Sequence, residues 1–218
     1  MKIALIGATG FVGSAVLKEA LERGHQLLAI VRNPDKVSIQ DNNLSVVKGN
    51  VMDLNLLAGQ ISGHDAVVSA YNAGWGNPNL YDEFVKGANA IQEGVKKSGV
   101  KRFLVVGGGG SLFISPNLQV VDLPDFPEFI RAGAMAARDY LDVLRKEKDL
   151  DWTFLSPAPG MFQGTSGNRK GTYRTGLENP ILDGEGKHSV ISVEDVAVAV
   201  LDELENPRHI RQRFTVAY

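Results

Sequence analysis

The opening of the chain, Met1-Lys-Ile-Ala-Leu-Ile-Gly7-Ala-Thr-Gly10-Phe-Val-Gly13, constrains the fold more than any other stretch. A short apolar run at residues 3–6 ends in glycine, and the pattern turns helical after Gly10. That order describes a buried strand, a tight turn and a helix start, the arrangement that sets a dinucleotide diphosphate against the amides of a helix N-terminus. Gly7 permits the sharp turn, Gly10 lets phosphate approach the backbone, and Gly13 lets the helix pack close to the strand. The spacing is G-x-x-G-x-x-G rather than the G-x-G-x-x-G common among dehydrogenases. Gly7, Thr9, Gly10, Phe11, Val12 and Gly13 are the expected wall of a cofactor site. A glycine-rich turn without a ligand is the plainer alternative, but a second strand follows the helix and favours the nucleotide reading.

Strand and helix patterns alternate along the chain. Val12, Ala15, Val16 and Ala20 make a helical stripe, and Gly24 is placed to stop it. Further strands are expected at residues 26–31, 44–47, 66–70, 103–106, 152–155 and 213–216. Helices are expected at residues 53–61, 77–99, 128–146 and 193–204. Pro78 would lie in a first helical turn, where its missing N–H costs nothing. Ser192-Val-Glu-Asp195 spells a capping box. Residues 163–187 break the rhythm with six glycines and little periodicity. The alternation implies an α/β class with a doubly wound parallel sheet, a Rossmann fold of strand order 3-2-1-4-5-6. Its ligand would lie at the carboxyl ends of strands one and four. A single dinucleotide-binding domain spanning residues 1–218 is expected, with residues 156–191 forming a small C-terminal substrate lobe.

Composition excludes several chemistries. The sequence has no cysteine, which removes disulfides, thiolate nucleophiles and cysteine-ligated metals. A formal net charge of −2 gives no general attraction to nucleic acid or anionic membrane. No apolar run reaches the ~18 residues of a membrane span. A strand at the very start leaves no room for a signal peptide, so a cytoplasmic protein is expected. The four histidines, His25, His64, His188 and His209, lack metal-ligand spacing. Only His188, in the glycine-rich segment, invites a catalytic test.

Arg32 bears on cofactor choice. An NAD-preferring fold carries an acid about 20 positions after the glycine turn, to accept hydrogen bonds from the ribose. Here the second strand ends Ala29-Ile-Val-Arg32-Asn33. A carboxylate would repel a 2′-phosphate, whereas a guanidinium binds one bidentately, so NADP(H) is expected over NAD(H). Asp53 sits either near the adenine or as a helix cap. Ala70, Tyr71 and Asn72, after the fourth strand, are expected to line the cofactor ribose and the cleft. Gly107 to Gly110 would deliver Ser111 to the cleft mouth, where it either hydrogen-bonds a substrate carbonyl or caps local backbone. The loop Ser156-Pro157-Ala-Pro-Gly-Met-Phe162 would cover the nicotinamide face, with Phe162 stacking on a flat substrate or joining the core. Arg169, Lys170 and Arg174 either meet an anionic substrate such as a flavin phosphate or form a solvated loop.

Together Gly7–Gly13, Val31-Arg-Asn-Pro34, Gly49-Asn-Val-Met-Asp53 and Ile191-Ser-Val-Glu-Asp195 resemble the atypical short-chain dehydrogenase/reductases over essentially the whole chain. Gly171-Thr-Tyr-Arg-Thr-Gly176 and the ending from Asp202 through Val216 are similar to the bacterial NADH-flavin reductases, relatives of biliverdin-IXβ reductase that are also grouped with NAD-dependent epimerase/dehydratases. The resemblance implies a nucleotide site at Gly7, Gly10, Gly13 and Arg32, and an active surface around Ser111 and Pro157. One departure matters. Many superfamily members carry Tyr-x-x-x-Lys on the helix after strand five, whereas here Tyr140 is followed four later by Leu144. Alcohol dehydrogenation and sugar epimerisation need such an acid/base pair. Hydride delivery to a flavin or quinone needs mainly alignment. An NAD(P)H-dependent reductase of a flat conjugated acceptor is therefore expected, possible as a homodimer. A non-catalytic NADP(H)-binding redox sensor is the alternative, and a nucleotide-sugar epimerase/dehydratase a third.

Overall fold

Residues along the central strands point alternately to opposite faces of one sheet, and both faces are apolar, so helices must cover both. The computed structural model describes residues 1–218. Its strands are β1 (Lys2–Ile6), β2 (Gln26–Val31), β3 (Leu44–Lys48), β4 (Ala66–Ser69), β5 (Arg102–Val106), β6 (Phe113–Ser115), β7 (Leu118–Gln119), β8 (Asp151–Pro157), β9 (Arg174–Gly176) and β10 (Gln212–Ala217). The helices are α1 (Phe11–Glu22), α2 (Leu54–Ile61), α3 (Leu80–Ser98), α4 (Glu128–Leu144) and α5 (Val193–Glu205). Eight strands form the main sheet in the order β3-β2-β1-β4-β5-β8-β10-β9, all parallel except β9, which runs antiparallel on β10. This is the expected doubly wound order. Ile3, Leu5, Leu27, Ala29 and Leu104 pack against α1 and α5. Their alternates Ala4, Ile6, Ile30, Val67 and Phe103 pack against α2, α3 and α4. Each such aliphatic or aromatic side chain contributes roughly 1.5–3 kcal/mol by leaving water. No helix is long and apolar enough to cross a membrane.

Three local readings need correction. Helix α3 starts at Leu80, after Pro78, because the Asn77 side chain accepts the amide of Asn79 at 2.9 Å and makes a turn first. The edge strand β9 and the β6–β7 hairpin are two or three residues long, too short for a period to register. Only half of the capping box forms. Ser192 Oγ accepts the Asp195 amide at 3.1 Å, but the Ser192 amide donates to the Tyr218 hydroxyl at 3.2 Å rather than to the Asp195 carboxylate.

That carboxylate fastens the connection between β8 and α5. It accepts the backbone amides of Lys170 at 2.7 Å and Gly171 at 2.8 Å, and the phenol of Tyr218 donates to it. The Lys170 ammonium lies 3.6 Å from the centre of the Tyr218 ring. Burial alone would raise the Asp195 pKa, but bonds from Tyr218, Lys170, Gly171 and Ser192 hold it below its ordinary value. A carboxyl group lowered in this way stabilises the fold above its unfolded pKa of about 4, and the contribution is lost as pH falls through the lower folded value. Asp195→Asn is therefore expected to speed amide exchange at Lys170 and Gly171 at neutral pH. The parent should show the same acceleration only in acid below about pH 4. Hydrogen–deuterium exchange over residues 166–173 checks both, and equal protection in parent and variant would remove the fastening role.

Candidate functional site

The sheet order reverses between β1 and β4, and the loops leaving the carboxyl ends of the strands converge there. The turn after β1 is the most crowded of them. Gly7 has φ +87°, and a Cβ on it would lie 2.4 Å from the Ala70 carbonyl oxygen at the end of β4. A Cβ on Gly13 would lie 2.0 Å from the Gly7 carbonyl oxygen. Only glycine allows β1, β4 and the first turn of α1 to meet this closely.

Gly10 differs. A Cβ there would meet only the Gly7 carbonyl, at 3.3 Å, so the fold itself leaves its outer side open. Gly10 caps α1 without a side-chain bond, and the first turn holds no acid. The first intrahelical bond runs from Ser14 N–H to Gly10 O at 2.9 Å, so the amides of Phe11, Val12 and Gly13 have no partner within the helix. Partial positive charge at this end adds to the attraction for an anion. These donors beside an open glycine fit a dinucleotide diphosphate, with Thr9 exposed next to them.

Arg32 stands exposed directly after β2 and takes part in no ion pair. Burial raises the Tyr71 pKa, and the Arg32 charge partly opposes that rise. Arg32 follows β2 and the glycine turn follows β1, so both lie at the carboxyl ends of neighbouring strands, and the guanidinium there is unpaired.

Other expected site residues are placed differently. Tyr71 points beneath α3 rather than into the cleft, its hydroxyl donating to the Glu83 carbonyl at 3.2 Å. Asn72 accepts the Gly74 amide at 2.7 Å and shapes the loop. Asp53 caps α2, accepting the Leu56 amide at 3.0 Å. Pro157 is buried as the last residue of β8, and its carbonyl would lie 2.6 Å from a Cβ on Gly109. The loops after β5 and β8 therefore press together.

Ser111 is the largest correction. It is 1% exposed rather than at the cleft mouth. Its hydroxyl accepts from Arg213 at 3.0 Å and donates to the Gly108 carbonyl at 3.3 Å. Arg213, missed by sequence reasoning, reaches from β10 to the Ser111 carbonyl at 2.7 Å and also pairs with Glu178. Burial lowers the Arg213 pKa and Glu178 partly offsets this. One buried cation thus ties the glycine loop to the β8–α5 connection. Its only sequence signal is a charge inside the apolar strand Arg213-Phe-Thr-Val216.

The basic cluster has internal partners as well. Arg169 contacts both carboxylate oxygens of Glu19 at 3.1 Å, Lys170 lies over Tyr218, and Arg174 donates to the Leu182 and Tyr218 carbonyls. His188 sits on a bridge with Leu182 at the base of a turn. Phe162 is 62% exposed, which removes it from the core.

The phenols complete the chemistry. Tyr140 is buried, its hydroxyl donates to Gln92 at 3.2 Å, and burial drives its pKa far up. Tyr81 donates to Asp139 and Tyr173 to Asp202, each at 2.6 Å. Tyr71 and Tyr218 are engaged as described. All five tyrosine hydroxyls are bound to acceptors of the protein.

The family described as NAD(P)H-binding matches residues 7–207. The Bacillus subtilis protein YwnB, itself uncharacterised, is 41% identical over 218 residues, covering 99% of this chain and 98% of that protein. A candidate epimerase from Bacteroides thetaiotaomicron has 49% identity and a TM-score of 0.90, covering 100% of this chain and 96% of the other. A candidate NADH-flavin reductase from Streptococcus pneumoniae has 35% identity and a TM-score of 0.86, with 100% and 99% covered.

The contrast between two glycines yields a test. Gly10→Ala should keep its melting temperature within about 4 °C of the parent, since a weaker helix cap costs ~1 kcal/mol or less. It should still weaken NADPH binding by more than about tenfold, because the methyl occupies the phosphate approach. Gly13→Ala should lose about 1–3 kcal/mol of stability through overpacking. Thermal melts with and without NADPH check both. A Gly10→Ala variant that binds normally would sink the diphosphate assignment.

Proposed function

From the premise that the chain belongs to the NAD(P)H-binding family, we propose that it is an NADPH-dependent reductase of a flat conjugated acceptor such as a flavin or quinone. The observation that carries this reading is the engagement of all five phenols within the protein. Epimerisation or alcohol oxidation needs a proton-transfer group poised beside the reacting carbon. The tyrosines here are tied elsewhere, and Ser111 is buried against Arg213. Reduction of an electron-poor ring makes a smaller demand. The nicotinamide supplies a hydride, the acceptor takes the electron pair, and water supplies the balancing proton. Among the relatives, the pneumococcal protein's flavin-reductase description agrees with this reading, whereas the more similar Bacteroides protein carries an epimerase description.

The residues divide the work by position. The turn Gly7–Gly13 and the amides of Phe11 and Val12 hold the diphosphate. Arg32 takes the 2′-phosphate, where two parallel charge-assisted bonds contribute roughly 1.5–3 kcal/mol each. The loops after β5 and β8 flank the ring with glycine and proline, and a small wall lets donor and acceptor planes approach. The same lack of a free phenol also suits a protein that holds NADP(H) and reports redox state without turnover.

Two measurements separate these readings. NADPH should raise the melting temperature more than NADH at equal concentration, by mass action. Arg32→Ala should lose at least about tenfold of that preference while keeping most NADH binding. Purified protein should oxidise NADPH when riboflavin, FMN or a quinone is added. Binding without oxidation across a broad acceptor panel would replace the reductase with the sensor.

A further inference from the structure

We infer that Trp75 and Phe129 form the acceptor-binding wall of the proposed reductase, and that the acceptor is an uncharged conjugated ring rather than a phosphorylated flavin. This rests on the reductase reading and narrows it. The first observation is exposure. Trp75 is 59% exposed and Phe129 82% exposed, large aromatic surfaces left in water on the carboxyl-end side of the sheet. An isolated exposed aromatic is ordinary, but these two share one stretch of α4, with Trp75 against Gly133 and Phe129 one turn before it.

Their neighbourhood is fixed by one helix turn. A Cβ on Gly133, inside α4, would lie 2.7 Å from Trp75 Cζ3 and 3.1 Å from Cη2, so the indole edge lies on bare helix backbone. Phe129 precedes Gly133 by four residues and lies on the same face of α4. Glycine at such a position weakens a helix by about 1 kcal/mol relative to alanine, and here it admits the indole. The next residues of α4 touch the cleft. Ala134 Cβ lies 3.0 Å, and Ala137 Cβ 3.9 Å, from the Cβ positions of Gly110 and Gly108. Trp75 and the glycine loop after β5 therefore meet one segment of α4.

Charge selects among flat acceptors. Trp75 is bracketed by the first turns of α3 and α4, which carry Asp82, Glu83 and Glu128, with Asp125 just before α4. Arg131 is occupied by Glu128 at 2.7 Å and by the carbonyls of Val121 at 2.6 Å and Phe126 at 3.1 Å. With Lys86 one turn along α3 included, the rim remains negative. The cations once expected to meet a flavin phosphate, Arg169, Lys170 and Arg174, hold internal partners. A dianionic phosphate has nothing to pair with here and several carboxylates to avoid. An uncharged isoalloxazine or quinone meets only aromatic face.

The chain's two tryptophans make a direct test possible, because Trp152 is 3% exposed and Trp75 is not. Titration of riboflavin, menadione and FMN into the full chain saturated with NADP⁺ should quench Trp75 emission saturably. Riboflavin should bind at least about tenfold tighter than FMN, and a Trp75→Phe variant should lose the signal. Trp75→Ala should raise KM for riboflavin about threefold to tenfold with little change in kcat, the weight of one aromatic face. Gly133→Ala, which displaces the indole without removing it, should do the same. The proposal is overturned if parent and Trp75→Phe respond alike, if FMN binds as tightly as riboflavin, or if Trp75 emission follows protein concentration, as a second copy covering the patch would require. NADPH oxidation that persists without Trp75 quenching would overturn this wall and leave the reductase standing. Quenching without oxidation would do the reverse.

Discussion

The backbone of Gly13 rests on the carbonyl of Gly7, and Gly7 in turn rests on the carbonyl of Ala70. Three elements meet at van der Waals range there with no side chain between them. That crossing fixes the direction of α1, and the direction of α1 decides where its unpaired amides point. A methyl group at Gly7 or Gly13 would drive the elements apart at a cost of about 1–3 kcal/mol, a large part of the ~5–15 kcal/mol that holds a domain folded. An anion site thus follows from one close contact of backbone.

Around that core, buried polar groups do mechanical work. Arg213 is shut away from water yet reaches Ser111 and Glu178, so the loop after β5 cannot move independently of the connection after β8. Asp195 gathers two backbone amides and a phenol onto α5. Arg23 joins Glu19 of α1 to Asp202 and Glu205 of α5, and Arg169 adds the connection to the same group. Each network has several charge-assisted bonds in a partly dry setting, where loss of one member strands the others. Long glycine-rich segments are thereby held without a hydrophobic core of their own.

Much of this is legible in the sequence, for a physical reason. Short apolar runs at residues 3–6 and 26–31, each followed by turn and helix patterns, encode the α/β class, and crossover handedness then gives the sheet order. Gly7 and Gly13 are legible because backbone proximity leaves glycine no substitute, and Gly10 because its spacing completes the turn. Ser111, Tyr71 and Asn72 are misplaced by sequence reasoning because a polar residue in a loop gives no sign of which way it faces. Arg213 pairs with Ser111 across 102 positions of chain, and no local pattern encodes that. Trp75 is hidden in the same way, since its meaning depends on Gly133 lying under it.

The distribution of acids and bases then limits the chemistry. A protein that leaves a phenol or imidazole free beside its cofactor can move protons on demand, and its substrates can be unactivated alcohols or sugars. Here Tyr71, Tyr81, Tyr140, Tyr173 and Tyr218 all serve as struts, His25, His64 and His209 are bonded to Glu205, the Ile61 carbonyl and Glu203, and His188, without a side-chain bond, sits on the Leu182 bridge of the β8–α5 connection. On the proposed reading, such a site accelerates a reaction chiefly by holding two planar partners face to face, where effective concentration supplies much of the barrier reduction. The reaction must already be downhill for hydride and indifferent to the source of the proton. Electron-poor conjugated rings meet both conditions, and carbinols meet neither. On the proposed reductase reading, substrate class is thus set as much by where the tyrosines are bound as by the shape of the cleft.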